Sequence, residues 1–292
     1  MSAQPHADPP AGLGLRPGES ALVTGASSGI GETFARTLAA KGVSLLLSAR
    51  PEEAERLEAI VAELNSAHQI RCIAAAVDLA DASGADQLIA VAAEQDFRPD
   101  LVVNSAGIGI AGRFDEIAPD ALQRMIDVNV SALVRVTRAY LPDMSRRHAG
   151  GVINLVSTAA FQPVPYFSVY AASKAFVLNF TEGLWAEAQR DGVTVVAVCS
   201  GPVETAFQGG EAGRSEGGAR GFVRRRYMTP QNVVDAALEA LVRGRPMVVL
   251  RVPVIGLLYY PLTALGHMLP LHVRLRIAER VNRGLFKVQD RA

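Results

Sequence analysis

Lysine is scarce in this chain: Lys41, Lys174 and Lys287 stand against 26 arginines, taking the 29 basic residues minus 3. Lys174 nevertheless falls four places after Tyr170, in the run Tyr170-Ala171-Ala172-Ser173-Lys174. Four residues apart on a helix, two side chains share one face, one turn from each other. An ammonium so placed favours tyrosinate over phenol, and is expected to lower a pKa that is otherwise about 10. Such a tyrosine can give and take a proton near neutral pH. Taken alone, the pair is more simply a packed ring beside a solvated lysine. A second motif supplies the context that the pair lacks.

Ser20-Ala21-Leu22-Val23-Thr24 reads as a short apolar strand running into Gly25-Ala26-Ser27-Ser28-Gly29-Ile30-Gly31. Glu32 to Lys41 then has helical spacing through Phe34, Ala35 and Leu38, and Val43–Ser48 reads as the next strand. Strand, glycine turn and helix make a phosphate cradle. Glycines admit the tight turn and a close backbone approach, while the helix N-terminus offers unbonded N–H groups to a pyrophosphate. The competing reading is a tight turn with no ligand, and the strand-to-helix context favours nucleotide binding.

The spacing Thr24-Gly25-x-x-x-Gly29-x-Gly31 resembles that of the short-chain dehydrogenase/reductase family, and further positions of the family pattern follow in order. Asp78-Leu79 ends the third strand, and Asn104-Ser105-Ala106-Gly107 follows the fourth, Leu101–Val103. Asn129 lies in Asp127-Val128-Asn129-Val130, and Ser157 closes the fifth strand, Val152–Val156. Gly201-Pro202-Val203-Glu204-Thr205 follows the sixth, Val193–Cys199. The resemblance covers residues 18 to 250. Ser105 departs from it where a second Asn is frequent, and Ser200 where Pro often precedes the glycine. Both positions touch the cofactor's edge and leave the reacting groups intact.

The resemblance implies hydride transfer between a nicotinamide cofactor and a ketone or secondary alcohol. Tyr170 would be the acid in reduction and the base in oxidation, and Lys174 would lower its pKa and hold the nicotinamide ribose. Ser157 would bond the carbonyl oxygen where negative charge develops, and Asn129 would anchor a water linking Lys174 to solvent. Cofactor contacts are implied at Gly25, Ser27, Ser28, Gly29, Ile30 and Gly31, and at Asp78 and Leu79. Others are implied at Asn104, Ala106 and Gly107, at Pro202, Val203 and Thr205, and at Tyr170 and Lys174 themselves. The residues of the second strand select the cofactor. It ends Leu47-Ser48-Ala49-Arg50, with no acid to accept a ribose 2′-hydroxyl and a guanidinium able to fork onto a 2′-phosphate. NADPH is therefore expected over NADH, although Glu52 and Glu53 follow closely. A nucleotide sensor or scaffold that has lost turnover is the alternative on the same fold. The complete set Asn129, Ser157, Tyr170 and Lys174 argues against it.

Stepwise alternation of strand and helix signals to about Leu250 predicts one α/β domain over residues 19–250. Its form would be a Rossmann-type doubly wound parallel sheet of about seven strands in a three-layer sandwich. A hydrophobic fraction of 49% supplies its core. Formal charge is zero, from 29 basic and 29 acidic residues, so nothing points to nucleic acid. Cys72 and Cys199 fall in or beside strands and read as buried thiols, and the five histidines show no ligand spacing, so no metal site is expected. Residues 1–18 are rich in Pro, Ala and Gly without a signal-peptide pattern and read as a disordered leader of a cytoplasmic protein.

Two stretches remain. Gly209–Gly221 holds six glycines after the sixth strand and reads as a lid over the substrate. In the extension 251–292, Val252–Leu271 carries no Asp, Glu, Lys or Arg but has Pro253, Pro261 and Pro270. His272–Val288 then carries Arg274, Arg276, Arg280, Arg283 and Lys287 against one acid, Glu279. A cap on the pocket or a subunit interface, a segment lying on the membrane surface, and a membrane span all compete here. The prolines argue against a span, and residues 252–288 are expected to pack beside the pocket with peripheral lipid contact. The pocket itself should draw on Phe161–Phe167 and Val203–Tyr227. That mix of apolar side chains and glycines favours a lipophilic carbonyl compound, such as a 3-oxoacyl chain or a steroid-like ketone. The family resemblance also implies a homo-oligomer, dimeric or tetrameric.

Overall fold

The structure is a computed structural model and describes residues 14–205, 228–250 and 271–286. The expected leader up to residue 13, the glycine-rich stretch 209–221 and the apolar run 251–270 lie outside the described residues.

Seven strands form one sheet in the order β3-β2-β1-β4-β5-β6-β7, and each neighbouring pair is parallel. They are β1 Ser20–Thr24, β2 Ser44–Ala49, β3 Cys72–Ala76, β4 Leu101–Asn104, β5 Gly150–Leu155, β6 Val193–Ser200 and β7 Met247–Leu250. Strand order reverses between β1 and β4, which opens a crevice at the carboxyl ends where ligands of such sheets bind. The helices are α1 Gly29–Ala39, α2 Ala54–His68, α3 Gly84–Glu94, α4 Pro119–Ile126, α5 Leu133–Arg147, α6 Ser168–Ala188, α7 Pro230–Val242 and α8 Leu271–Phe286.

Near-continuous apolar runs are what a sheet covered on both faces requires. In β2, Leu45 and Leu47 enter one core with Phe34, Leu38 and Leu238, while Leu46 enters the other with Leu22, Leu88 and Val136. All three leucines are fully buried, because successive side chains leave a strand on opposite faces. Cys72 and Cys199 are buried and unpaired, and burial pushes both thiols up to about 12.

Two boundaries differ from expectation for stated reasons. Helix α1 begins at Gly29 rather than Glu32, since Ser28 is already extended and the next residues turn helical at once. It ends at Ala39 because Gly42, at φ +77°, lets the chain reverse into β2. Between α4 and α5, Asp127–Ala132 winds as a π-helix, an irregularity that propensity does not signal. Asn129 sits in it. No helix among the described residues is long and apolar enough to cross a membrane, and no group of three or more metal-ligating residues occurs among them.

Candidate active site

The glycine turn is shaped by close contacts that no side chain could share. A Cβ on Gly31 would meet the Gly25 carbonyl oxygen at 2.1 Å, so α1 leaves the turn directly against the end of β1. Gly25 adopts φ +66°, and a Cβ there would meet the Ala106 Cα at 2.9 Å. Gly29, at φ +58°, faces the Thr205 methyl in the same way at 3.0 Å. The first N–H groups of a helix have no carbonyl within it to bond, and the Ser28 side chain makes no capping bond here. A turn of bare backbone, closed over by Ala106 and Thr205 and ending at an uncapped helix start, fits an anionic diphosphate.

Thr24 fastens this turn to the next strand end. Its Oγ1 accepts from the Ser105 and Ala106 N–H groups at 3.1 and 3.0 Å. The strand-to-helix pattern contained Thr24, but its role appears only once β1 and β4 are neighbours. Asn104, expected at the cofactor, turns its carboxamide into the core. Its Nδ2 donates to Thr137 Oγ1 at 3.0 Å and to Asn154 Oδ1 at 2.8 Å, and Asn154 Nδ2 donates to Thr181 Oγ1 at 2.9 Å. This buried chain of polar side chains links β4, β5, α5 and α6 beneath the crevice. Asp78 is likewise engaged, accepting from the Ala80 N–H at 2.9 Å and from Arg124 at 2.8 Å. Burial alone would raise its carboxyl, but those two donors hold it below the usual range.

At the end of β2, Arg50 Nη2 donates to Glu53 Oε1 at 3.0 Å, and the Ser27 hydroxyl donates to Glu53 Oε2 at 2.5 Å. Ser48, fully buried on the same strand end, has a hydroxyl without a hydrogen-bond partner among the described residues.

The residues expected to transfer protons come together on the other side of the crevice. Helix α6 carries Tyr170 and Lys174 in its first two turns, on the face that it buries. Lys174 Nζ donates to the carbonyl of Leu155, the last residue of β5, at 2.9 Å. Two residues later Ser157 caps the turn Thr158–Phe161, accepting from the Ala159 N–H at 3.2 Å, and its hydroxyl acts on the Tyr170 phenol in favour of the charged form. Phe167 stacks on the Tyr170 ring with centroids 4.2 Å apart. Asn129 Oδ1 accepts from the Ile108 N–H at 2.9 Å, and its Nδ2 donates to the Ile108 carbonyl and to Ser173 Oγ at 2.9 and 3.1 Å. Asn129 Oδ1 and Lys174 Nζ converge on Gly107, where a Cβ would lie 3.3 and 3.5 Å from them.

The electrostatics correct one expectation. Burial pushes the Tyr170 phenol up to about 12, and the Ser157 hydroxyl only partly opposes it. The lysine does not lower it below 10, because Lys174 is itself buried, 5.8 Å from the ring centroid, and burial brings it down to about 8. Desolvation disfavours both charged forms and outweighs their mutual attraction here. The pair therefore stores a protonated phenol beside an amine that can lose its proton near pH 8.

The substrate side has a contact that the sequence did not signal. Tyr166, in the left-handed region at φ +65°, accepts from the Gly112 N–H through its carbonyl at 2.8 Å. Its hydroxyl donates to Glu279 Oε1 of α8 at 2.6 Å, and Arg283 holds the same carboxylate at 2.7 Å. Pro202, Val203 and Thr205 follow β6, and Val203 forms a parallel bridge with Met228.

A parallel sheet with its crevice beside a glycine cradle and a Ser-Tyr-Lys cluster defines a nucleotide-dependent oxidoreductase, and comparison with known proteins agrees. The short chain dehydrogenase family matches residues 19–214, and the chain belongs to it. It is an oxidoreductase acting between CH–OH and C=O. An uncharacterised oxidoreductase of Staphylococcus epidermidis is 33% identical over 221 residues, 76% of this chain and 90% of that protein. A short-chain dehydrogenase from Sphingobium yanoikuyae, solved in complex with NADPH, superposes with a TM-score of 0.70 at 28% identity, covering 94% of this chain and 97% of that one. A bulky-bulky ketone specific alcohol dehydrogenase from Comamonas testosteroni gives 0.68 at 25% identity, covering 87% and 95%.

Proposed function

We propose that this chain is an NADP(H)-dependent reductase of lipophilic ketones, with Tyr170 as the proton donor. The observation that carries the reading is the buried pair Tyr170 and Lys174 on α6, with the lysine anchored to Leu155 and Ser157 two residues further on. The Gly25–Gly31 turn and the start of α1 would hold the pyrophosphate, with Arg50 and Ser27 toward the 2′-phosphate and Asp78 and Leu79 toward the adenine. Ala106, Gly107, Pro202, Val203 and Thr205 would flank the nicotinamide half, and the main chain at Asn104 would contribute there. Tyr170 and Lys174 would hold the ribose hydroxyls. The cofactor supplies a hydride to the carbonyl carbon when bound. Ser157 donates to the carbonyl oxygen as negative charge gathers on it. Tyr170, protonated at neutral pH because burial keeps its pKa high, gives that oxygen its proton. Lys174, near its own pKa, replaces the proton on Tyr170.

Asn129 has both N–H groups engaged. A relay water would therefore be held by Asn129 Oδ1 or by the main chain of the π-helix. The NADPH-bound relative supports the cofactor, and the bulky-ketone relative supports the substrate class. Purified protein should consume NADPH, followed at 340 nm, with bulky ketones, and should use NADH less well. Equal or better kcat/KM with NADH would overturn the cofactor assignment, and silence across the panel would favour the non-catalytic sensor.

Two features support further readings. Phe176 is 46% exposed on α6 and stacks near Phe180, an apolar face suited to a homo-oligomer. On α8, Ile277 and Val281 are 55% and 63% exposed, next to exposed Arg276 and Arg280, while the acid Glu279 is occupied by Tyr166 and Arg283. That favours peripheral contact with an anionic membrane surface. Flotation with anionic vesicles at low salt, lost in high salt, is the expected result, and retention until detergent is added would contradict it.

A further inference from the structure

We propose that Glu53 is a specificity-determining residue that competes with the cofactor's 2′-phosphate for its donors and so holds down the preference for NADP(H) over NAD(H). The inference rests on the cofactor reading above. Strand β2 ends in Ser48-Ala49-Arg50, without an acid. The chain then makes a short turn, Pro51–Glu53, in which the Glu53 N–H bonds back to the Arg50 carbonyl at 2.9 Å. That turn returns a carboxylate to the strand end three residues late. There it takes the Ser27 hydroxyl on one oxygen, at 2.5 Å, and the Arg50 guanidinium on the other, at 3.0 Å.

A hydroxyl of the glycine turn and a guanidinium after β2 are the donors that a phosphate would use. Here a single carboxylate engages both. Ser27 is 2% exposed, so its hydroxyl is confined to this corner, whereas the Arg50 and Glu53 side chains are 52% and 33% exposed and have room to separate. Burial alone would raise the Glu53 carboxyl, but the Ser27 and Arg50 bonds bring it below its ordinary value, so it is an anion at neutral pH. Arg56 also acts on Glu53, but its guanidinium is held by Glu32 at 3.0 Å.

Two consequences follow from charge. A 2′-phosphate must displace Glu53 from both donors and then remain near a like charge. A ribose 2′-hydroxyl can donate to Glu53 as it stands, with nothing displaced. Arg50 and Glu53 thus pull selectivity in opposite directions, and the absence of an acid on the strand end overstates the preference for NADP(H).

The test uses the purified full chain and two fragments that differ in one group, adenosine 2′,5′-bisphosphate and AMP, with dissociation constants from calorimetry. Glu53→Gln, which keeps the shape and removes the charge, should tighten the bisphosphate by roughly tenfold and leave AMP within about twofold. NADH should weaken by about threefold. Adding Arg50→Ala to Glu53→Gln should abolish the gain. Unchanged or weaker bisphosphate binding by Glu53→Gln, in a wild type that does prefer the bisphosphate to AMP, would overturn this inference alone. It would make Glu53 a support that aims Arg50. A wild type that binds neither fragment would overturn the cofactor reading and this inference with it.

Discussion

The cofactor side and the substrate side of the crevice are built differently. On the cofactor side, the decisive contacts are backbone against backbone within one strand–turn–helix unit. Gly31 packs on the Gly25 carbonyl and Gly25 on Ala106, so the constraint is steric and the residue type is forced. On the substrate side, one contact joins Tyr166 to Glu279 across 113 positions, and it depends on two side chains that other pairs could replace. A ligand part common to many enzymes is held by backbone and written locally in the sequence. A part that varies is held by side chains from distant segments, and its local signature is weak.

Tyr170→Phe should divide the two sides most sharply. It keeps the ring stacked on Phe167 and removes the proton donor, so kcat should fall by about 10² to 10⁴, while NADPH binds within about threefold of wild type by titration. Retention of more than about a tenth of kcat would remove Tyr170 from the acid role by the same measure.

Lys174 gives the next largest effect, and it can be read without cofactor. Its pKa falls from 10.5 in the unfolded chain to about 8 when buried. Between those values the unfolded chain binds more protons, so stability from this group is full above pH 10.5 and is lost as pH falls through 8. The unfolding free energy of the wild type, less that of Lys174→Met, should therefore rise between pH 8 and 10, with the full span worth roughly 3 kcal/mol. Cys72 and Cys199, raised from 9.0 to about 12, act in the opposite sense above pH 9, and Tyr170, raised from 10 to about 12, does so above pH 10, so only the difference between the two proteins isolates the lysine. Both are measured by denaturant titration. A flat difference would mean that the lysine is not desolvated.

Asn154→Ala tests the seam between the two sides. It leaves Asn104 and Thr181 short of a partner in a buried chain, and should lower stability by about 1 to 3 kcal/mol in chemical denaturation. Glu279→Gln should give the smallest effect, about threefold in the KM of a bulky ketone, with NADPH affinity unchanged. A matching loss of NADPH affinity would erase the distinction between the sides.

The sequence carried the sheet because its alternating apolar runs and glycine turns are local. It also carried Ser157, Tyr170 and Lys174, which lie within 18 residues on one strand end and one helix. It misjudged what burial does to the Tyr170 phenol, since depth depends on Phe167, β5 and the rest of α6 packing around it. It did not show that strand pairing turns the Asn104 carboxamide onto Asn154, 50 positions away, leaving only the main chain of Asn104 toward the crevice. Glu53 was visible as a nearby acid, but its hold on both Ser27 and Arg50 needed the turn Pro51–Glu53 to fold.

The central claim is that the cofactor side delivers a hydride to a carbonyl held by the substrate side. The most direct measurement uses NADPH deuterated at C4 of the dihydronicotinamide, incubated with the protein and a bulky ketone, with the product examined by mass spectrometry and NMR. The account predicts one deuterium on the carbinol carbon of the alcohol, with formation lost in Tyr170→Phe. Tight NADPH binding with no deuterated alcohol from any ketone of the panel would contradict it and leave a nucleotide-binding protein without turnover.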